Sequence, residues 1–367
     1  MMRLLGAILG LILILTVLWD AFETVILPRR VTRRIRLTNL FYSLIWVPWS
    51  LSVRNISNGR RREKSLGLFG PLSLLILLGV WAVGLILGYA LLLWASETKL
   101  STATETVTFW TYLYLSGVTF FTLGYGDVSP MFPLGRFLAV VESGNGLGLF
   151  AIVISYLPVL YQAFSRREAS ISLLDARAGS PSSAVELLRR HRAEDGFDDL
   201  NRLLSEWERW SAELLESHLS YPVLCYFRSQ HDNQSWLRAL TTVLDTCALV
   251  MVGVEGAPIW QARMTFAMCR HAVVDIAQVF KTAPAAPDTC SGRLSSPELA
   301  RMRAMLSEKG ILLPAGEDTE QRLCDLRMMY EPYVFALAEW LLMPLPPWIL
   351  PPEAIDNWKT SAWGRIQ

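Results

Sequence analysis

The chain has 367 residues, of which 52% are hydrophobic and 18% charged, and its 34 Lys and Arg nearly balance 33 Asp and Glu. That apolar share exceeds the roughly 45–50% of soluble domains and is concentrated before residue 165, which excludes a wholly soluble globular protein; the length suggests two or more domains. A net charge of +1 says little by itself, because arginines near the apolar runs cancel acidic residues further on. No nucleic-acid partner is expected.

A helix needs about 20 mostly apolar residues to cross a bilayer core, and three runs qualify: Leu4 to Leu27, Leu66 to Ala95 and Phe137 to Phe164. The first follows a positive start at Met1-Met2-Arg3, as a secretory signal would. It is longer than the usual ~7–15-residue core of such a signal, and no small-x-small cleavage site interrupts it. Residues 1–36 are therefore expected to form a retained N-terminal transmembrane helix with a basic flank. Asp20 and Glu23 sit near its inner end, where carboxylates are costly, and are expected to pair with Arg29, Arg30 or neighbouring helices.

Arg29, Arg30, Arg33, Arg34 and Arg36 place the following loop on the cytoplasmic side by the positive-inside rule. Arg54, Arg60, Arg61, Arg62 and Lys64 form a second cluster with the same preference. Two inside clusters cannot flank a single crossing. The Trp- and Tyr-rich stretch between them, Asn39 to Val53 with Pro48, is read as part of an interfacial segment (37–65) along the inner membrane surface; a fourth span is the alternative. The arginine spacing resembles a voltage sensor, but these residues lie outside the apolar run beside a proline, as juxtamembrane anchors do.

Between the second and third runs, Thr106 to Pro130 is too short and interrupted to cross and return as helix, so it must be re-entrant. Phe109 to Phe121 is apolar enough for a short buried helix, and Thr122-Leu123-Gly124-Tyr125-Gly126-Asp127 follows directly. Irregular backbone at membrane depth is tolerated only inside protein or along a water-filled path. A dehydrated cation needs oxygen ligands on every side, and a narrow loop supplies them by turning carbonyls toward one axis, with Gly124 and Gly126 free to take positive φ. Thr122 adds a hydroxyl at the inner end and Asp127 a negative charge at the mouth. One chain contributes one loop, so closing the ring takes four subunits.

Thr119-Phe120-Phe121-Thr122-Leu123-Gly124-Tyr125-Gly126-Asp127 resembles the filter of the potassium channel family, whose pattern is T-x-x-T-x-G-Y-G-D. The resemblance covers the pore module, about a quarter of the chain between Leu66 and Phe164. It implies K+ coordination by the carbonyls of Thr122, Leu123, Gly124 and Tyr125 and the Thr122 hydroxyl, with Gly126 completing the filter. Tyr114 matches the family's pore-helix aromatic that hydrogen-bonds the filter aspartate, here Asp127, and Thr119 opens the motif. Leu123 replaces the commoner valine without changing the ligand atoms. Val118 stands where some members have a glutamate, so a carboxyl behind the filter must come from elsewhere.

Glu142 is the candidate, four residues before Gly146 on the same helix face; Glu-x-x-x-Gly here resembles prokaryotic inward rectifiers. It is expected to hydrogen-bond the pore helix or filter, or else to face the cavity. Gly144, Gly146 and Gly148 lie inside a membrane helix with no preceding strand, which excludes a nucleotide loop. Gly146 best matches the family's hinge glycine, and Pro158 supplies a second bend by removing a backbone hydrogen bond.

Beyond Ser165 the composition turns to alternating charge. Leu200, Leu203, Leu204, Trp207, Trp210, Leu214 and Leu215 recur at helical spacing. Ser296-Pro297-Glu298 reads as a cap and first turn of a helix that Gly310 ends. Further helices are expected at Gln234 to Val252, Pro258 to Lys281 and Glu320 to Leu342. Pro344 to Trp348, with Pro351 and Pro352, forms an extended packing arm or, alternatively, a partner ligand. Cys225, Cys247, Cys269, Cys290 and Cys324 have no C-x-x-C spacing and are expected to be reduced thiols. His191, His218, His231 and His271 lack metal-ligand spacing, and no nucleophile, metal or phosphate constellation suggests an enzyme.

The expected fold is an all-α membrane protein: an N-terminal transmembrane helix, a potassium-channel pore module of outer helix, re-entrant pore helix and filter, and inner helix (66–165), and an all-helical cytosolic C-terminal domain (166–367). The resemblance implies passive K+ conduction by a homotetramer in the cell membrane, crossing the bilayer several times, with no cofactor beyond the permeant ion. Gating by an unidentified cytosolic ligand or partner, acting through the C-terminal domain, is the remaining expectation.

Overall fold

An apolar segment in hydrocarbon must satisfy its backbone polar groups internally, and a helix is the local way to do so. In the computed structural model, which describes residues 1–27, 37–102, 106–192, 197–284 and 292–351, the first run forms α1 (Met2–Ala21) and continues into a π-helical turn at Phe22–Ile26. Next come α2 (Leu37–Arg54) and α3 (Gly59–Ala95). The basic loop from Pro28 to Arg36, Cys290 and Pro352 lie outside the described residues. Strand β1 (Leu100–Thr102), helix α4 (Phe109–Phe120) and strand β2 (Val128–Pro130) follow, then α5 (Pro133–Ala178). Among the described residues, Met2–Ile26, α3 and α5 are long and apolar enough to cross a membrane, and α2 is not one of them.

The chain divides into two units, Met1–Ser57 with Leu68–Tyr161, and Asn58–Gly67 with Gln162–Gln367. In the first, α1 and α3 approach closely enough that a Cβ on Gly10 would stand 2.7 Å from the Gly88 carbonyl oxygen, so only glycine fits. Ile14, Val17, Phe41, Leu77, Trp81 and Leu85 form the core between α1, α2 and α3. One carboxylate joins these helices. Asp20 Oδ1 accepts the Thr38 backbone N–H at 3.1 Å, while Oδ2 accepts the Thr38 hydroxyl at 2.6 Å and the Trp81 indole N–H at 3.0 Å. It thereby occupies a donor in the first turn of α2, where backbone N–H groups have no helical partner. Glu23 accepts the Trp19 indole N–H at 2.7 Å.

The helix α3 begins at Gly59, so the second basic cluster, Arg60 to Lys64, lies in its first turns. One feature of the first unit was absent from the sequence reading: Leu100 pairs with Pro130, Ser101 with Ser129 and Thr102 with Val128 in an antiparallel ladder. Three-residue strands carry too little alternation to register in a hydrophobic pattern.

The second unit is built from the end of α5 with α6 (Ala184–His191), α7 (Asp198–Ser220), a 3-10 turn at Pro222–Tyr226, α8 (Trp236–Met251), α9 (Ile259–Val279), α10 (Ser296–Ser307), α11 (Glu317–Met328) and α12 (Glu331–Leu341). Every residue of α8 from Trp236 to Val250 is buried, which makes it the central helix. The single helix expected over Glu320 to Leu342 is two helices, because Pro332 enters the first turn of α12, where its missing N–H is harmless. The cap of α10 is Ser295, one residue earlier than expected; its N–H donates to Glu298 Oε2 at 2.9 Å in a capping box. Cys225, Cys247 and Cys269 are free and buried. Cys324 is disulfide-bonded, which corrects the reduced-thiol expectation: sequence spacing does not report which thiols the fold brings together.

A buried charge network closes this unit. Arg293 donates to Asp245 Oδ1 at 3.0 Å and Oδ2 at 2.5 Å, to Glu331 Oε1 at 3.3 Å, and to the Pro346 carbonyl at 2.8 Å. Tyr330 Oη donates to Asp245 at 2.5 Å, and Arg327 bonds both oxygens of Glu331 at 3.1 Å. Trp348 is buried beneath both guanidiniums, so Pro344 to Trp348 packs as an arm on the unit's own core. Burial pulls the Arg293 guanidinium down, but the surrounding Asp245, Tyr330 and Glu331 together outweigh it and hold the group above its ordinary value. Burial likewise pushes the Glu331 carboxyl up, against the opposing pull of Arg327 and Arg293.

Removing one member of such a network strands the others, at about 3–5 kcal/mol. Arg293→Ala should therefore lower unfolding stability by that amount in denaturant melts, while Arg263→Ala at the exposed face of α9 should change it by less than about 0.5 kcal/mol. A second dependence concerns His218. Arg167 Nη1 lies 3.2 Å from His218 Nε2; a guanidinium only donates, so Nε2 accepts, and Nδ1–H donates to the Leu214 carbonyl at 2.9 Å. Burial, then the Arg167 charge, holds this imidazole well below 6.5. A depressed folded value means stability present above the unfolded pKa and lost as pH falls below it. The melting temperature should drop as pH is lowered from 6.5, and His218→Gln should flatten that limb.

Candidate functional site

The loop singled out by sequence begins where α4 ends. Thr108 opens α4 in a capping box with Thr111, whose hydroxyl accepts the Thr108 N–H at 3.1 Å. Tyr112 Oη donates to the Thr98 carbonyl at 3.0 Å, tying α4 to the chain leaving α3. At the other end Phe121 N–H donates to Gly117 O at 3.1 Å, Thr122 N–H to Thr119 O at 3.0 Å and Leu123 N–H to Val118 O at 2.9 Å. The helix thus tightens directly into the loop, and Thr119 takes part through its carbonyl. The negative end of the helix dipole lies at this terminus, a favourable place for a cation.

The loop backbone has an unusual rhythm. Thr122, Gly124 and Gly126 have φ of +55°, +60° and +77°, whereas Leu123 and Tyr125 are not among the residues with positive φ. In an ordinary strand successive carbonyls point to opposite sides; alternating the sign of φ turns each peptide plane the same way and lines carbonyls along one side. Glycine adopts positive φ without penalty. Thr122 does so at about 1–3 kcal/mol, a strain the glycine pattern did not disclose.

The outer end is held twice. Tyr114 Oη donates to Asp127 Oδ2 at 2.9 Å, and β2 begins at Val128, the residue after Asp127, paired with β1. Residues 121–127 are exposed in the single chain.

Glu142 is fully buried on α5, and the Ser116 hydroxyl of α4 lies within hydrogen-bond reach of both Glu142 Oε1 and the Ile86 carbonyl of α3, the latter at 2.7 Å. One hydroxyl has one proton. Both bonds form together only when Glu142 carries a proton and donates to Ser116 Oγ, with Ser116 donating to Ile86 O. Among the described residues, Glu142 Oε2 is buried with no hydrogen-bond partner. Close by in sequence, Asn145 Nδ2 donates to Tyr89 Oη at 2.5 Å. Ser116, Tyr89 and Asn145 escaped the sequence reading; the available signal for Ser116 was a small hydroxyl at helical spacing from Tyr112 and Phe120, on the buried face of α4.

Gly146 lies where α5 crosses the end of α4: a Cβ there would stand 2.2 Å from the Phe120 carbonyl oxygen. Close approach is thus a sufficient reason for this glycine. Gly144 and Gly148 have no such neighbour. Pro158 lies within α5, which continues to Ala178, and the residue contributes no N–H to the helix. The structure brings Tyr114 to Asp127, and Glu142 to the pore helix; Gly146 meets the residue that precedes the loop, and Pro158 lies apart.

Two apolar helices around a short buried helix and an irregular loop define a membrane protein with a channel-type pore domain. Residues 75–162 match a protein family described as ion channel. Over 196 residues the chain is 24% identical to the uncharacterized membrane protein YdjJ of Bacillus subtilis (strain 168), an alignment covering 52% of this chain and 56% of that protein. The chain therefore spans little more than half the length of this curated relative. No solved structure matches.

The contact at Gly146 makes a specific demand. Gly146→Ala should force α4 and α5 apart, lowering thermal stability by about 1–3 kcal/mol, whereas Gly144→Ala should leave it unchanged. Equal behaviour of the two variants in thermal melts would remove the close-approach reading.

Proposed function

We propose that this chain is a subunit of a potassium-selective channel that conducts K+ passively through a homotetrameric pore in the cell membrane. The observation that carries the reading is the alternating positive φ at Thr122, Gly124 and Gly126, on a loop held between the end of α4 and the Tyr114–Asp127 bond. The carbonyls of Thr122, Leu123, Gly124 and Tyr125 then replace the hydration shell of K+, joined by the Thr122 hydroxyl. Leu123, bulkier than valine, fills the space behind them without altering an oxygen ligand.

Four copies complete the ring. Trp110, Tyr125, Val140 and Ile154 are 73%, 69%, 71% and 72% exposed in one chain, and this is where neighbouring subunits and the pore axis are assigned. Glu142 and Ser116 brace the pore helix from behind, and Gly146 and Pro158 are the places where α5 bends. The N-terminal transmembrane helix with its basic flank (1–36), interfacial segment (37–65), pore module (66–165) and cytoplasmic domain (166–367) divide the work into anchoring, surface contact, conduction and control. The protein is a transporter of ions with no reaction to catalyse.

Purified protein in planar bilayers, with K+ on one side and Na+ on the other, should give a reversal potential near that of K+. A value near zero would replace the reading with a nonselective cation pore. Gly124→Ala in the same assay should abolish selective current, because the added Cβ makes the positive φ strained.

A further inference from the structure

The first turns of α3 and the last turns of α5 belong to the same unit as the C-terminal helices, and their side chains converge on one short stretch, Pro222 to Arg228. From α5, Arg167 reaches it with a side chain only 4% exposed. Its Nη1 donates to the Leu224 carbonyl at 2.9 Å and its Nη2 to the Phe227 carbonyl at 2.8 Å, while Nε donates to Glu168 at 3.0 Å. Phe164, one turn earlier on α5, lies under the same guanidinium at 5.2 Å and against the Phe227 ring at 5.7 Å.

From α3, Glu63 meets Arg228 Nη1 at 3.3 Å, and the Arg228 side chain is 6% exposed. The other arm of that guanidinium donates to the carbonyls of Leu341 and Leu342 at 2.5 and 3.2 Å, filling acceptors that the end of α12 leaves open. A buried guanidinium is expensive to maintain. Two of them, both spending their donors on or from a seven-residue stretch that opens as a 3-10 turn, specify geometry: a planar fork bonded to two carbonyls sets distance and orientation together, which a lysine cannot do. The stretch follows α7 without an intervening loop, since Pro222 opens its 3-10 turn directly after Tyr221.

We propose that Pro222–Arg228 is a clasp joining the cytosolic ends of α3 and α5, with Arg167 and Arg228 as its two positioning residues. A displacement of α7 or α12 is then delivered to both helices together. This rests on the channel reading above and deepens it by assigning the residues through which the C-terminal domain controls the pore.

The test uses the full chain with Arg167→Gln, Arg228→Gln and the double variant. Amide hydrogen exchange on the purified proteins should rise at least tenfold in residues 59–67 and in residues 162–178 for each single variant, although each arginine touches only one of the two helices, with α8 unchanged. In bilayers the singles should shift open probability in the same sense by threefold or more. The double variant should do no more than the larger single, and the reversal potential should stay that of wild type. Exchange confined to the helix that lost its partner, or effects on gating that simply multiply, would overturn the clasp. Should either substitution unfold the unit, Phe164→Cys with Phe227→Cys provides a folded alternative: oxidation should freeze open probability and reduction restore it, and a cross-link that forms without changing gating refutes the proposal. If the wild-type chain passes no K+ current, the channel reading fails by itself, and the exchange arms still decide the clasp.

Discussion

Unpaired backbone oxygens cost several kcal/mol each in hydrocarbon, and this constraint organises the membrane unit. Six consecutive residues, Thr122 to Asp127, run outside any helix or ladder between two helices apolar enough to span the bilayer. Such a segment survives only if the protein encloses it and holds each end. The inner end is held by the last carbonyls of α4, the outer end by Tyr114 on Asp127 and by the β1–β2 ladder. Between these points the chain has little freedom, and the strained φ of Thr122 lies next to the anchor at the end of α4.

The supports of the loop are themselves supported. Ser116 connects α4 to the Ile86 carbonyl and to Glu142, so outer helix, pore helix and inner helix meet at one hydroxyl. Gly146 lets α5 approach the main chain of α4 just before the loop. Asp20 repeats the device at the other end of the unit by holding α2 to α1 and α3. Ser116 and Asp20 each mark a junction of three elements, and Gly146 a close crossing of two.

Much of this was legible in the chain. The three long helices followed from length and hydropathy, and the re-entrant helix from a span too short to cross. Helix α4 ends at Phe120 where Phe121 was expected, an offset within ordinary boundary fraying. The Tyr114 and Glu142 positions followed from a family motif and a helical period. The C-terminal unit was less legible. Its helices were located from apolar spacing, but the break at Met329–Tyr330, the eight-residue α6 and the Cys324 disulfide were not. A break between two amphipathic helices with the same buried face leaves the hydrophobic period almost intact, and a short helix offers too few repeats to declare one.

By itself the sequence determined which segments must be helical in a bilayer, where the irregular loop lies and which residues within it tolerate positive φ, because these depend on local composition and on chain length against bilayer thickness. The tertiary structure alone decided what those segments touch. That Ser116 faces Glu142, that Gly146 meets Phe120, and that Arg167 and Arg228 close on one turn are consequences of helices crossing at particular heights and angles. Crossing geometry is set by the packing of many side chains at once, and no single position in the chain records it.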